Sequence, residues 1–230
     1  VPSTLSMSRS AWRNVGSNGA WSGSRAQTTQ SVNAYAPAPK GRDNFVTAHN
    51  SAAQRIASES GIPAHYMIGQ AGHETGWGKS EIRNKDGSNS FNLFGIKAGG
   101  SWTGKVAEVT TTEYINGAPK KITAKFRAYD SFEESFRDYA RLIGSSPRYE
   151  KAMAQTGSAQ AYASELQKAG YATDPAYAQK LSRAIQSVQQ VNVAAANSNV
   201  NSAAQVASRS GVGIGSNRAA PINKINENQS

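Results

Sequence analysis

The hydrophobic pattern of this chain changes period twice, from helical spacing to strict alternation and back, and that change limits the folds open to it. Phe45, His49, Ala52 and Ile56 recur at helical spacing, and Gly61 offers a stop. Pro63 suits the first turn of a second helix, whose stripe of Met67, Ala71 and Glu74 runs until Gly76 and Gly78 end it. From Val106 to Tyr129 the period is two. Val109, Thr111, Glu113 and Ile115 share one strand face, Asn116-Gly117 is a turn signal, and Ile122, Ala124, Phe126 and Ala128 line the return strand. Helical spacing resumes at Ser131-Phe132-Glu133-Glu134, a capping box followed by the stripe Phe132, Phe136, Tyr139 and Ile143. A further helix runs from about Ser158 to Gly170, and a last one starts at Asp174-Pro175 with Tyr177, Leu181, Ile185 and Val188 in register. The expected class is α+β, a mainly helical body interrupted by one β-hairpin lobe.

Composition sets the domain limits. Residues 1–42 are rich in Ser, Gly, Asn, Ala and Gln, include Ala36-Pro37-Ala38-Pro39, and read as a linker, in which Trp12 and Trp21 are unusual. Residues 43–190 carry the periodic pattern and are the expected globular domain. Residues 191–230 have few large apolar groups and read as a low-complexity, disordered tail. None of the 230 residues is cysteine, which excludes disulfides, thiolate zinc sites and Fe–S clusters. The net charge of +10 raises nucleic acid as a partner, but it divides into +4 over residues 1–40, +4 over 41–190 and +2 over 191–230. The globular part is thus only mildly basic; no nucleic-acid partner is expected, and an anionic cell wall would suit the charge as well. No apolar run approaches the ~20 residues that span a bilayer, so no membrane insertion is expected. The first residue is Val1 rather than Met, which reads as a processed or truncated product.

The chemistry concentrates in Gly72-His73-Glu74-Thr75-Gly76-Trp77-Gly78-Lys79-Ser80. Glu74 falls on the apolar face of its helix, where a solvated carboxylate is least expected. Desolvation there, with Trp77 as a source of apolar surface, raises a carboxyl pKa and makes a general acid. A cap, or a pair with Lys79 or Arg83, is the plain alternative. His73-Glu74 also begins a zinc-helix string, but the position of the second histidine is Trp77. His49, His65 and His73 therefore read as packing or surface residues, and no metal is expected. Glu113 is the second carboxylate, on the strand face of Val109 and Ile115; pairing with Lys120 or Lys121 is its alternative, and Glu81, Asp86 and Glu108 are rivals for its role. Glu108 has the opposite strand parity. In Asn92-Leu93-Phe94-Gly95-Ile96-Lys97, Phe94 and Ile96 are expected to pack, and Gly95 allows close backbone approach. Trp102 suits stacking on a sugar or a place in the core, and Tyr171 lies in a short turn where it either caps packing or serves the site.

These residues resemble glycoside hydrolase family 73, the N-acetylglucosaminidases of bacterial cell walls, and within it the flagellar rod-assembly branch. The resemblance covers roughly residues 43–190. It rests on Glu74-Thr75-Gly76-Trp77-Gly78, Asn92-Leu93-Phe94-Gly95, Thr111-Thr112-Glu113-Tyr114 and Gly170-Tyr171-Ala172-Thr173-Asp174-Pro175. Thr75 stands where Ser is common in the family. The resemblance implies a lysozyme-like fold with a substrate cleft, and cleavage of the β-1,4 bond between N-acetylglucosamine and N-acetylmuramic acid. It implies Glu74 as general acid, with Glu113 and Tyr171 as its catalytic companions. Trp77, Asn92, Phe94, Gly95, Trp102 and Tyr114 are the expected substrate-binding set. It further implies no cofactor, action as a monomer on peptidoglycan in the periplasm, and flagellar rod subunits as partners. A non-catalytic glycan-binding or rod-docking module is the alternative.

Overall fold

A computed structural model of the chain describes residues 41–99, 101–115, 118–172 and 174–209, the side chains of 111–120, 204 and 206–209 excepted. Residues 1–40 with Trp12 and Trp21, read from composition as a linker, the expected turn Asn116-Gly117, and positions 210–230 lie outside these described residues. The chain divides into two units, Val1–Asn192 and Val193–Ser230.

Helix α1 (Arg42–Ser60) has Asp43 in its first turn, where a carboxylate complements the helix dipole, and stops at Gly61, whose left-handed φ of 77° only glycine adopts without strain. It buries Phe45, Val46, His49, Ala53 and Ile56. Pro63 precedes α2 (Ala64–Thr75) as its cap rather than sitting in its first turn, because its ψ of 136° is still extended. Nearly every residue of α2 is buried, so it is a central helix. A Cβ at Gly69 would collide with the backbone of Ile185, so that glycine lets another helix approach closely.

Strands β1 (Val106–Ile115) and β2 (Ala118–Arg127) form an antiparallel pair in the register Val106↔Arg127 to Ile115↔Ala118. The paired positions Ala107↔Phe126 and Val109↔Ala124 face Ile82 and Ala128 in a small apolar cluster separate from the main core. A lone hairpin is marginal in water. This one is tied to the body: Arg127 Nη1 meets Asp138 Oδ2 at 2.8 Å, Tyr129 donates to the same oxygen at 2.7 Å, and Arg127 N donates to Ile96 O at 2.9 Å.

Helix α3 (Phe132–Ser145) begins as the capping box requires, with Ser131 Oγ accepting from Glu134 N; Glu134 Oε2 reaches back to Asp130 N. Phe136, Tyr139 and Ile143 are buried in the main core. A short 3-10 turn (Pro147–Tyr149) and α4 (Glu150–Met153) lead to α5 (Ala159–Lys168), capped by Ser158. The last helix, α6, runs Tyr177–Arg209, and its Tyr177, Leu181, Ile185 and Val188 are fully buried as their spacing predicts. In the second unit, residues 193–209 are also helical, whereas composition reads a disordered tail from 191. The run Val193-Ala194-Ala195-Ala196 favours helix locally while offering little to a core: Val193 and Val200 are 60% and 66% exposed.

Candidate active site

Glu74 sits in the last turn of α2, with part of its surface open and protein around its carboxyl. Desolvation pushes its pKa from 4.5 up to about 8, while a hydrogen bond from Gln70 pulls the other way. Gln70 lies one turn earlier on the same face. Its Nε2 donates to Glu74 Oε1 at 3.4 Å and to Tyr177 Oη at 2.5 Å.

Tyr171 reaches this region from the end of α5. Gly170, at φ 73°, donates to Gln167 O, and Tyr171 N donates to Leu166 O, the paired bonds of a Schellman ending. That ending turns the Tyr171 ring inward, where it stacks on Tyr177 at 5.9 Å with 27° between planes. Burial first, and then the charge of Glu74, hold the Tyr171 hydroxyl well above its usual range, while Gln70 pulls the other way. The structure thus brings Glu74 and Tyr171 together, with Gln70 and Tyr177 between α2 and α6.

Trp77 does not supply the apolar surface expected of it. Its N–H bonds Gly72 O, and its ring lies so close over Gly72 that a Cβ there would clash; it also meets Phe45 edge-on at 5.9 Å. Positions 72 and 74 point ~200° apart around a helix, so the indole is on the far side from the carboxyl. Tyr171 and Tyr177 lie near enough for the charge of Glu74 to help hold their hydroxyls above the usual range.

Two of the expected substrate contacts, Asn92 and Phe94, are spent on the fold, and Trp102 is engaged in part. Asn92 Nδ2 donates to Ile96 O and Arg127 O at 2.9 and 2.8 Å, and its Oδ1 accepts from Phe94 N and Ile96 N. A buried amide so engaged organises a loop rather than a ligand. Phe94 is fully buried and stacks on Tyr139 at 4.2 Å. Trp102 has one ring face covered by the Arg127 guanidinium at 4.7 Å and its Nε1 bonded to Lys105 O, though it is only half-buried. Gly95 adopts φ 62° within the Asn92 loop. Glu113 and Tyr114 sit opposite Lys120 and Pro119 in the strand register, and their side chains lie outside the described residues.

The rival acids are engaged locally. Glu81 Oε2 accepts from Asn89 at 2.6 Å, Asp86 Oδ1 accepts from the Ser88 N–H and hydroxyl, and Glu108 pairs with Lys85 and Lys125 on the outer hairpin face. His49 is buried among Phe45, Phe132 and Phe136, and desolvation lowers its pKa to about 4. Gln70 and Tyr177 are the residues that spacing arguments missed. The available signal was a polar Gln70 inside the otherwise mostly apolar stretch from Tyr66 to Ala71.

Residues 50–190 match the glucosaminidase family, described as mannosyl-glycoprotein endo-beta-N-acetylglucosaminidase. The chain is 49% identical over 140 residues to peptidoglycan hydrolase FlgJ of Escherichia coli (strain K12), covering 61% of this chain and 44% of that protein. Two solved structures are similar. One, a peptidoglycan hydrolase mutant from Sphingomonas sp. A1, is 52% identical with a TM-score of 0.59, covering 66% of this chain and 98% of that one. The other, the glycoside hydrolase domain of Salmonella typhimurium FlgJ, is 37% identical with a TM-score of 0.62, covering 72% and 99%. This chain spans less than half the length of the Escherichia coli relative it matches.

Proposed function

The chain belongs to the glucosaminidase family, and from that membership we propose that it is a peptidoglycan hydrolase cleaving the β-1,4 bond between N-acetylglucosamine and N-acetylmuramic acid. The observation that carries the reading is Glu74, a carboxyl kept protonated up to about pH 8 by the protein around it. An acid in that state at neutral pH donates its proton to the glycosidic oxygen as the bond to the sugar carbon breaks. The positive charge developing on the sugar needs a carboxylate, an activated water or the substrate's own acetamido group. Glu113 is the proposed carboxylate. Its support is its strand parity with Ala107 and Val109, the face that packs on Ile82. The buried Tyr171 hydroxyl is proposed to orient the reacting groups. The site of action is outside the cytoplasm, in the periplasm, where the wall is opened for flagellar rod assembly and rod subunits are the partners. Recognition of the glycan by Trp102, Gly95 and Tyr114 belongs to the same proposal.

The test is release of reducing sugar ends from purified peptidoglycan. Glu74→Gln removes only the transferable proton and should lower the rate by ~10²–10⁴-fold while wall binding is retained. Glu113→Gln should lower it less, because water or the acetamido group substitutes in part. More than a tenth of wild-type activity in Glu74→Gln would remove Glu74 as the acid, whereas wall binding without any release of reducing ends by the wild type would favour a glycan-binding or docking module.

A further inference from the structure

Gln70 has no place in the chemistry so far, yet it is fully buried one turn before Glu74 on the most buried helix of the fold. A buried amide is costly unless hydrogen-bonded, so packing alone would favour an apolar side chain of the same length. What its amide does is divide its N–H groups between Glu74 Oε1 at 3.4 Å and Tyr177 Oη at 2.5 Å. One end meets the acid and the other is anchored on α6.

Resting on the reading of Glu74 as the acid, we infer that Gln70 is its positioning residue. It holds Oε1, leaving Oε2 to carry the transferable proton, and it donates an N–H to the carboxylate that remains once the proton has gone. In that step the Oε2–H bond breaks and the proton passes to the glycosidic oxygen. That oxygen leaves with the electron pair of its bond to the sugar carbon. The negative charge is then created where desolvation penalises it, so a donor already in place acts when the charge appears. The other described groups facing the carboxyl are the Tyr171 and Tyr177 hydroxyls, both kept un-ionised by burial. His73 is its neighbour on α2, with its pKa lowered by burial, and Lys180 beyond it is bonded to Asp174 at 2.6 Å. The direction of the Gln70 effect agrees with this role, since its hydrogen bond opposes the upward shift of Glu74.

The experiment follows the Glu74 carboxyl by carbon-13 NMR through a pH titration of the full chain, wild type against Gln70→Met, with Tyr177→Phe as a second variant. The Gln70→Met titration should move up by about one pH unit, the strength of a modest hydrogen bond to a charged group. On soluble glycan fragments of peptidoglycan, kcat should fall about tenfold, KM should hold, and the alkaline limb should move by the same amount. Tyr177→Phe should shift both in the same direction by less, because Gln70 keeps its donor and loses its anchor. A folded Gln70→Met whose titration superimposes on the wild type overturns the inference. If that variant does not fold, an unshifted titration in Tyr177→Phe overturns it instead. The titration needs no substrate, so a wrong reading of the glycan would leave this result standing and show itself in the reducing-end assay.

Discussion

Glu74 carries a cost to stability that follows from its burial. Its folded pKa of about 8 lies above the ordinary value of 4.5, so its contribution is fully favourable below about pH 4.5 and is lost as pH rises through 8. At pH 7 the penalty is on the order of 3 kcal/mol. Glu74→Gln should therefore melt several degrees higher than wild type at pH 7, and the two should converge near pH 4. Equal melting temperatures at both pH values would mean that the carboxyl is not desolvated. This residue was legible from its i, i+4, i+7 position with Met67 and Ala71, since a charge on an apolar stripe stands out. The pairing of Gln70 with Tyr177 was not, because their hydrogen bond joins residues far apart in sequence and Tyr177 satisfies its helical stripe as a core residue in any case. Asn92 and Phe94 show a related limit: a motif shows that residues belong together, not whether they face ligand or core.

Helix α1 holds a second titrating group whose sign is opposite. His49 is enclosed by the rings of Phe45 on its own helix and Phe132 and Phe136 on α3, and its pKa is lowered to about 4 by desolvation. Its stabilising contribution is present above about pH 6.5 and is lost as pH falls toward 4, amounting to about 2 kcal/mol at pH 5. Glu74 gains over much of the same window, so the wild-type profile hides both. His49→Leu, which removes the titration and keeps an apolar filling, should lose less stability than wild type between pH 6.5 and 4.5 in parallel thermal melts. A profile identical to wild type would place the His49 ring in contact with water. Element boundaries followed local chemistry closely where caps set them: Ser131 and Ser158 begin helices and Gly61 and Gly76 end them, as their residue types require. The attachment of the hairpin was not legible, because Arg127 with Asp138 and Asn92 with Arg127 O are side-chain bonds between elements that no periodicity reports.

Over the whole molecule, charge and packing are distributed differently. The core lies between Phe45 and Val188, whereas +6 of the net +10 falls in residues 1–40 and 191–230. Within 41–190, cations are partly balanced by pairs such as Arg55–Glu133 and Arg137–Glu59. The terminal segments hold only Glu227 as an acid against seven basic residues, so they carry most of the uncompensated attraction for an anionic polymer. Such attraction is screened over ~10 Å at 0.1 M salt and contributes little once salt is high. A chain trimmed to residues 41–192 should therefore keep its melting temperature and its rate on soluble glycan fragments. It should sediment with insoluble peptidoglycan less than the full chain at low salt, and the difference should vanish near 0.5 M. Equal sedimentation at low salt would locate the attraction on the globular domain itself. Loss of the cooperative melt would mean that residues outside 41–192 complete the core.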